Sequence, residues 1–292
     1  MCGIFGTILK ERKKPDLGAL RALTMANRQR GKEALGFFDS NESIFKKATD
    51  PMDLLADGDC TEWLDNSSRD SWFIVGHTRF GTRGKNIDAN SHPFQYGDVI
   101  GSHNGIIQAP NNYTVDSEFA IDMLDRHESN YQEALADEWG YWTLAWYDRR
   151  HKELFVTMHD NTCGIAYHNG AWYFSSDPDH LSVALGTRDT IVLDSGDAVS
   201  FDSKGRMKWR KKFEAKIGYS YKKDRRTSGG SGSYNHNYST YYSSTGATGV
   251  SGGNTGGKKT TFAGVSDPNQ TVRDYDNEFR DLWETYSTEF DG

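Results

Sequence analysis

The chain opens with Met1-Cys2-Gly3-Ile4-Phe5-Gly6, a short apolar stretch with a cysteine as its second residue. If the initiator Met is removed, Cys2 becomes the first residue and carries both a thiol and a free α-amine. An α-amine titrates at roughly 7.7 to 8.0, so it can accept the proton of the thiol directly or through a water. A second interpretation is that Cys2 is a small buried residue at the start of a strand, as many free cysteines are. The hexapeptide alone leaves both interpretations open.

The composition is that of a folded protein. The 292 residues, 36% of them apolar, can build one large domain with appendages. The three cysteines, Cys2, Cys60 and Cys163, match neither a disulfide framework nor a zinc motif, which indicates a reducing compartment. No segment has the length of a membrane span, and residues 1–10 lack the features of a signal peptide. We therefore expect a soluble, cytoplasmic protein that does not associate with a membrane.

Charge and composition divide the chain into four segments. Residues 2–203 are acidic overall and alternate short apolar runs with Gly, Asn and Asp turns, which is typical of a globular domain. Residues 204–226 hold eleven Lys and Arg side chains against two carboxylates and form a basic extension. Residues 227–265 are rich in Gly and Ser and are predicted to be a disordered, flexible tether. Residues 266–292 are acidic again.

The globular segment has patterns of both strands and helices. Apolar runs predict strands at residues 72–75, 142–146 and 154–157. Apolar residues three and four apart predict helices at residues 17–27 and 117–126, the second with Asp116 and Ser117 as candidate N-caps. We therefore predict an α+β domain.

The last segment has the pattern of an amphipathic helix. Apolar side chains recur at spacings of three and four between residues 271 and 290, at Phe279, Leu282, Trp283, Tyr286 and Phe290. Such a helix either folds back onto its own domain or docks on a partner protein. The basic extension at 204–226 can bind that acidic helix, contact nucleic acid, or remain solvated. Solvation is the interpretation that composition favours.

Three further motifs contain residues that suit a binding site. Arg79 lies in His77-Thr78-Arg79-Phe80-Gly81-Thr82-Arg83-Gly84, where an apolar strand gives way to a Gly-containing loop. Asn104 and Gly105, within His103-Asn104-Gly105-Ile106-Ile107, combine an amide with a backbone that can approach a ligand closely, which suits an oxyanion site. The third motif, at residues 30–36, is another Gly-bounded turn. Taken singly, each motif also fits an ordinary turn or a solvated charge.

Together and in this order, the motifs resemble the class II glutamine amidotransferase domain of the N-terminal nucleophile (Ntn) hydrolases, over roughly residues 2–203. The match runs through MCGIFG, RGKEALG, HTRFGTRG, SHPF, HNGII and VDSE. The HTRFGTRG and HNG motifs are most similar to the glutaminase domain of glucosamine-6-phosphate synthase. The resemblance implies a four-layer αββα sandwich with two mainly antiparallel sheets.

The resemblance also implies a reaction and the residues that perform it. Cys2 attacks the side-chain amide of glutamine, and the Asn104 amide and the Gly105 N–H stabilise the oxyanion. Ammonia leaves, and water then releases glutamate from a γ-glutamyl thioester on Cys2.

The substrate is implied to be held by its amino-acid end. Arg79 pairs with the α-carboxylate of glutamine, and Asp116 takes the α-ammonium group. Thr82 and the backbone near Phe80 line the same pocket.

The chain departs from the family pattern at two places. Arg83 stands where the most similar relatives usually have histidine, and residues 158–164 replace a stretch that often contains Arg followed by Pro-Leu. We expect no metal and no cofactor, because His77, His92 and His103 fit structural or hydrogen-bonding roles in this pattern.

The sequence leaves the fate of the nitrogen open. Residues 204–292 are too short and too biased in composition for a synthase domain. The leading hypothesis is a stand-alone amidotransferase subunit that supplies ammonia to a separate acceptor enzyme, recruited through the helix at 271–290. A second is a stand-alone γ-glutamyl amide hydrolase that releases larger amines. A third, of a different class, is an inactive Ntn scaffold that acts as an interaction protein.

Overall fold

The computed structural model of the chain describes residues 1–10 and 15–213. The predicted tether at 227–265, the predicted helix at 271–290 and most of the basic extension lie outside these residues. Within the described residues, no helix combines the length and the apolar character that crossing a membrane requires.

The first sheet places the beginning of the chain in its interior. It has seven strands: β1 (Gly3–Leu9), β2 (Ala34–Asp39), β3 (Ile44–Lys47), β4 (Phe73–Arg79), β9 (Gly164–His168), β10 (Ala171–Ser175) and β11 (Ile191–Val192). Their spatial order is β11-β9-β10-β1-β4-β2-β3, and the paired strands run antiparallel. Because β1 lies between β10 and β4, Cys2 is fixed by strands from two distant parts of the sequence.

The HNG motif lies in the second sheet, where two long neighbouring strands pair. It has six strands: β5 (Phe94–Tyr96), β6 (Val99–Ile107), β7 (Gly140–Asp148), β8 (Glu153–His159), β12 (Ala198–Phe201) and β13 (Met207–Trp209). Their order is β13-β12-β8-β7-β6-β5, again antiparallel. Along β6 and β7, Asn104 lies opposite Thr143 and Gly105 opposite Trp142.

Helices cover the outer face of each sheet. They are α1 (Leu17–Arg28), α2 (Pro51–Leu55), α3 (Gly58–Asp70), α4 (Asp116–Arg126), α5 (Tyr131–Ala136) and α6 (Pro178–Leu185). The predicted helices at 17–27 and 117–126 are thus confirmed to within one residue at each end. Helix α1 begins where the Asp16 carboxylate accepts a hydrogen bond from the Ala19 N–H at 3.0 Å.

Three apolar clusters hold the layers together. The central cluster lies between the two sheets and includes Ile4 and Val75 from the first sheet and Ile100 and Val156 from the second. A second cluster joins the second sheet to α4 and α5, and a third joins the first sheet to the remaining helices. Burial of each such side chain stabilises the fold by about 1.5 to 3 kcal/mol. This arrangement confirms the four-layer αββα sandwich with two antiparallel sheets.

The folded unit continues past the boundary that we expected at residue 203. Strand β13 pairs with β12, and Phe213 is buried in the second cluster. The basic residues of this stretch pair with acidic partners: Lys208 Nζ lies 3.1 Å from Glu153 Oε1, and Arg210 also binds Glu153. Composition favours a solvated basic extension. Its first residues, 204–213, instead belong to the second sheet and its core.

Candidate active site

The thiol of Cys2 lies against the backbone that follows β4. The Phe80 N–H donates to Cys2 Sγ at 3.3 Å, and the thiol donates to the Phe80 carbonyl at 3.5 Å. Burial raises the pKa of the Cys2 thiol, whereas the Phe80 N–H and the positive charge of Arg79 act to lower it. Met1 precedes it with 63% of its surface exposed. The sulfur is thus held in place next to a cationic side chain.

Arg79, the last residue of β4, is bound within the chain. Its Nη2 donates to the Arg83 carbonyl at 2.9 Å, and its Nη1 donates to Asn86 Oδ1 at 3.3 Å. The Glu33 carboxylate lies 3.6 Å from Nη1, and the Arg79 side chain is only 4% exposed. The predicted carboxylate-binding residue is therefore adjacent to Cys2 but already has an acidic neighbour.

The turn at residues 30–33 supports this part of the loop. A Cβ on Gly31 would lie 2.4 Å from the Arg79 carbonyl carbon and 2.8 Å from the Phe80 nitrogen, so only glycine allows the two backbones to approach this closely. The motif RGKEALG and the motif HTRFGTRG therefore pack on each other directly.

Asn104 and Gly105 lie in the second half of β6. Asn104 is 1% exposed, and within residues 1–10 and 15–213 neither atom of its side-chain amide has a hydrogen-bond partner. Gly105 has a φ of 142°, and a Cβ there would lie 2.0 Å from the Tyr141 carbonyl oxygen. A buried amide without a hydrogen-bond partner costs free energy. Such an amide is expected where a bound ligand supplies the missing partner.

The other predicted substrate residues lie around this centre with different contacts. Asp116 is the first residue of α4, and its Oδ2 accepts from the Ile107 N–H at 3.2 Å. Its charge raises the pKa of the Cys2 thiol, so the two groups are within electrostatic range. Thr82 is exposed, Phe80 is 49% exposed, and the hydrogen bonds of Phe80 with Cys2 are made by its backbone.

The N-cap of α4 differs from our prediction. Val115, not Asp116 or Ser117, precedes the helix, and Glu118 accepts from the Val115 N–H at 3.3 Å and the Thr114 N–H at 2.9 Å. The Ser117 hydroxyl instead contacts His103 Nδ1 at 3.0 Å. The helix is capped by a glutamate, which leaves Asp116 and Ser117 to face β6.

Buried histidines join the two sheets beneath the site. His77 Nε2 donates to the His103 carbonyl at 3.2 Å, and the rings of His77 and His92 are in contact, with their centroids 3.7 Å apart and their planes tilted by 30°. This contact brings β4 and β6 together, and so brings Arg79 towards Asn104. Burial lowers the pKa of His77 to about 3 and lowers the pKa values of His92 and His103. In the described part of the chain, no three His, Cys, Asp or Glu side chains are grouped to hold a metal ion.

These histidines predict an acid-sensitive fold. The folded protein keeps them neutral, whereas the unfolded chain protonates them below about pH 6.5, so stability is full above that pH and falls towards pH 3. For His77 the free energy of unfolding is expected to fall by about 2 kcal/mol between pH 7.5 and 5, and His92 and His103 act in the same direction. Urea unfolding at several pH values measures this loss. In His92→Phe, which keeps a ring against His77, the free energy of unfolding should depend less steeply on pH, by the equivalent of about one proton taken up on unfolding. The same pH dependence in the variant as in the parent protein would contradict the prediction.

A second set of hydrogen bonds joins the sheets on the other side of Cys2. Asn161 Nδ2 donates to the Asn104 carbonyl at 3.0 Å, and the Thr162 hydroxyl donates to the Ser176 carbonyl at 2.6 Å. The Ser176 hydroxyl in turn accepts from the Ile4 N–H at 3.0 Å. No role for Asn161 or Thr162 follows from the sequence, because they lie in the stretch that departs from the family pattern. They connect the strand of Asn104 to the strand of Cys2.

The other two cysteines are buried in the core. Burial raises the pKa of the Cys60 thiol to about 11 and that of the Cys163 thiol to about 12. Thiols with such pKa values are unreactive at neutral pH. Cys2, which is partly exposed, is the least buried of the three.

A cavity of about 330 Å³ lies away from the sulfur, past the end of β6. It is lined by Gln108, Ala109, Pro110, Asp137, Glu138 and Trp139. None of the predicted site residues lines it, so the arrangement around Cys2 is a separate feature of the surface.

Similarity to known proteins supports the resemblance that the motifs gave. No model of a protein family matches the chain. The chain is 38% identical over 113 residues to glutamine–fructose-6-phosphate aminotransferase (isomerizing) of Campylobacter jejuni, which covers 37% of this chain and 17% of that protein. The chain therefore spans only a small part of the curated relative that it matches.

Two solved structures share the fold. Glutamine phosphoribosylpyrophosphate amidotransferase of Bacillus subtilis matches with a TM-score of 0.56 at 16% identity, over 74% of this chain and 50% of its own. A structure described as the allosteric regulatory enzyme of purine biosynthesis matches with a TM-score of 0.55 at 17% identity and the same coverage. These similarities confirm the Ntn-hydrolase fold and, with the aminotransferase, the resemblance to class II glutamine amidotransferases.

Proposed function

We propose that this chain, which is homologous to a glutamine amidotransferase and has the Ntn-hydrolase fold, hydrolyses the side-chain amide of glutamine with Cys2 as the nucleophile. The observation that carries the proposal is the position of the Cys2 sulfur, which lies 3.3 Å from the Phe80 nitrogen and within electrostatic range of Arg79. A thiol there can attack an amide whose amino-acid end is bound by the neighbouring cation.

The proposed reaction begins with removal of Met1. The α-amine of Cys2 accepts the thiol proton, and the sulfur adds to the amide carbonyl carbon of glutamine. The Asn104 amide, buried and without a partner in the described residues, donates to the oxyanion together with the Gly105 N–H. The amine then protonates the departing ammonia. Water, deprotonated by the same amine, cleaves the γ-glutamyl thioester and releases glutamate.

The proposed binding site holds both charges of the amino acid. Arg79 pairs with the α-carboxylate, and Asp116 pairs with the α-ammonium group. The loop that contains Phe80 and Thr82 forms one wall. These roles follow from the resemblance, and the electrostatic proximity of Arg79 and Asp116 to Cys2 supports them.

We also propose that the ammonia passes to a separate acceptor enzyme. The predicted helix at 271–290, which lies outside the described residues, is the candidate docking segment for it. The proposed organisation is a catalytic domain over residues 2–203, completed by strand β13 and Phe213, with the later segments as extension, tether and docking helix.

Two measurements on the full-length protein test the proposed function. Glutamine should yield equimolar glutamate and ammonia, and a glutamine-analogue electrophile should add once, on Cys2, to a chain that has lost Met1. Intact-mass analysis and peptide mapping report both modifications. A retained Met1 with no labelling would exclude the proposed mechanism, and faster release of amines from γ-glutamyl amides than of ammonia from glutamine would favour an amide hydrolase.

A further inference from the structure

Glu33 contacts both residues that flank Phe80. Its Oε2 accepts from the Gly81 N–H at 2.9 Å and lies 3.6 Å from Arg79 Nη1. Its own N–H donates to the Arg79 carbonyl at 3.1 Å. Because the Phe80 backbone contacts the Cys2 sulfur, one glutamate fixes the chain on each side of that contact.

The Glu33 carboxylate is also the ion-pair partner of the Arg79 guanidinium. Among the residues that the structure describes, Glu33 is the only carboxylate within 4 Å of the Arg79 guanidinium. Arg79 is 4% exposed, whereas the Glu33 side chain is 38% exposed. A ligand carboxylate that approaches from solvent therefore meets Glu33 first and must displace it to reach Nη1.

We propose that Glu33 is a positioning residue with two separable effects on the site. Its hydrogen bond from Gly81 holds the Phe80 backbone against the Cys2 sulfur. Its negative charge holds Arg79 until the α-carboxylate of an amino-acid ligand replaces it. The identity of that ligand rests on the proposed function, whereas the effect on the sulfur does not.

Two substitutions separate these effects. In Glu33→Gln the amide oxygen still accepts from the Gly81 N–H, but the negative charge beside Arg79 is gone. In Glu33→Ala both the acceptor and the charge are lost. Glu62, exposed on α3, provides matched controls as Glu62→Gln and Glu62→Ala.

The charge is tested by calorimetric titration of the full-length protein with L-glutamate. In the parent protein, L-glutamate has to break the ion pair between Glu33 and Arg79, and a half-exposed ion pair is worth only a modest free energy. Glu33→Gln is therefore expected to bind L-glutamate about 2- to 5-fold more tightly than the parent protein. Glu62→Gln should not. Equal or weaker binding by Glu33→Gln would overturn the displacement of Glu33 by a ligand.

The hydrogen bond is tested by the pH dependence of Cys2 alkylation with iodoacetamide, followed by peptide mass analysis. Loss of the Phe80 N–H from the sulfur destabilises the thiolate, so the midpoint in Glu33→Ala should rise by about 0.5 pH unit or more. In Glu33→Gln it should stay within about 0.2 unit of the parent value. Equal midpoints in all variants, or equal shifts in both Glu33 variants, would overturn the positioning role.

The two experiments also separate this inference from the proposed function. Parent protein that neither hydrolyses glutamine nor binds L-glutamate would count against the proposed function and against the displacement step. The alkylation profiles need no substrate, so they decide the positioning role in either case.

Discussion

Replacement of Cys2 by serine is expected to lower kcat for glutamine hydrolysis by at least about 1,000-fold. An alcohol is far less acidic than a thiol, so the same α-amine activates serine much less effectively at neutral pH. The Phe80 N–H and the Arg79 charge, which favour a thiolate at this position, add little for a hydroxyl that stays protonated. The measurement is steady-state release of glutamate from glutamine, with the extent of Met1 removal determined by intact mass.

A matched control uses a cysteine that the site does not include. Cys60→Ala changes a buried thiol in the third apolar cluster and is expected to lower stability while leaving turnover close to the parent value. If Cys2→Ser retained more than about one tenth of the activity, a different group would be the nucleophile.

Replacement of Asn104 by alanine is expected to lower kcat by about 100- to 1,000-fold, which is the effect of removing one oxyanion donor. The loss should appear in kcat and much less in KM, because the oxyanion exists only after attack on the amide. Asn104 makes no side-chain hydrogen bond in the described structure, so its truncation removes no internal contact of that kind. Stopped-flow and steady-state assays of glutamate release measure both constants.

The control for Asn104 is an exposed asparagine near the site. Asn112→Ala, in the loop before α4, should leave kcat within about twofold of the parent protein. If Asn104→Ala changed KM by as much as kcat, or lowered stability enough to account for the loss, Asn104 would be a structural residue and the oxyanion donor would lie elsewhere.

The local pattern of apolar residues was sufficient to predict several of the helices and strands. Helix α1 follows from apolar residues at helical spacing behind Asp16, and strands β7 and β8 follow from apolar runs between turns. These elements depend on neighbours in sequence, so the sequence contains the information directly. The αββα layering was predicted from the family resemblance and the order of the strands was not predicted, because a pairing such as β1 with β10 joins residues about 170 positions apart.

The contacts of the candidate site were less predictable. The sequence placed Arg79 at the end of a strand, but its pairing with Glu33 depends on how two distant turns pack. Asp116 was predicted as a helix cap and lies inside the helix, because Glu118 supplies the acceptor for the preceding N–H groups. The basic extension was assigned to solvent because charge density does not reveal a partner such as Glu153 in another strand.

The position of β1 has a consequence for protein synthesis. Strand β1 leaves the ribosome before both of its neighbours, β4 and β10, and the Ile4 N–H binds the Ser176 hydroxyl, which is 172 residues later in the chain. The strand therefore remains half-paired until most of the domain has been translated, and closure of so long a loop is slow. During that interval the strand that follows Cys2 lacks one of its two neighbours, and the surroundings of the thiol are complete only when β10 has joined the sheet.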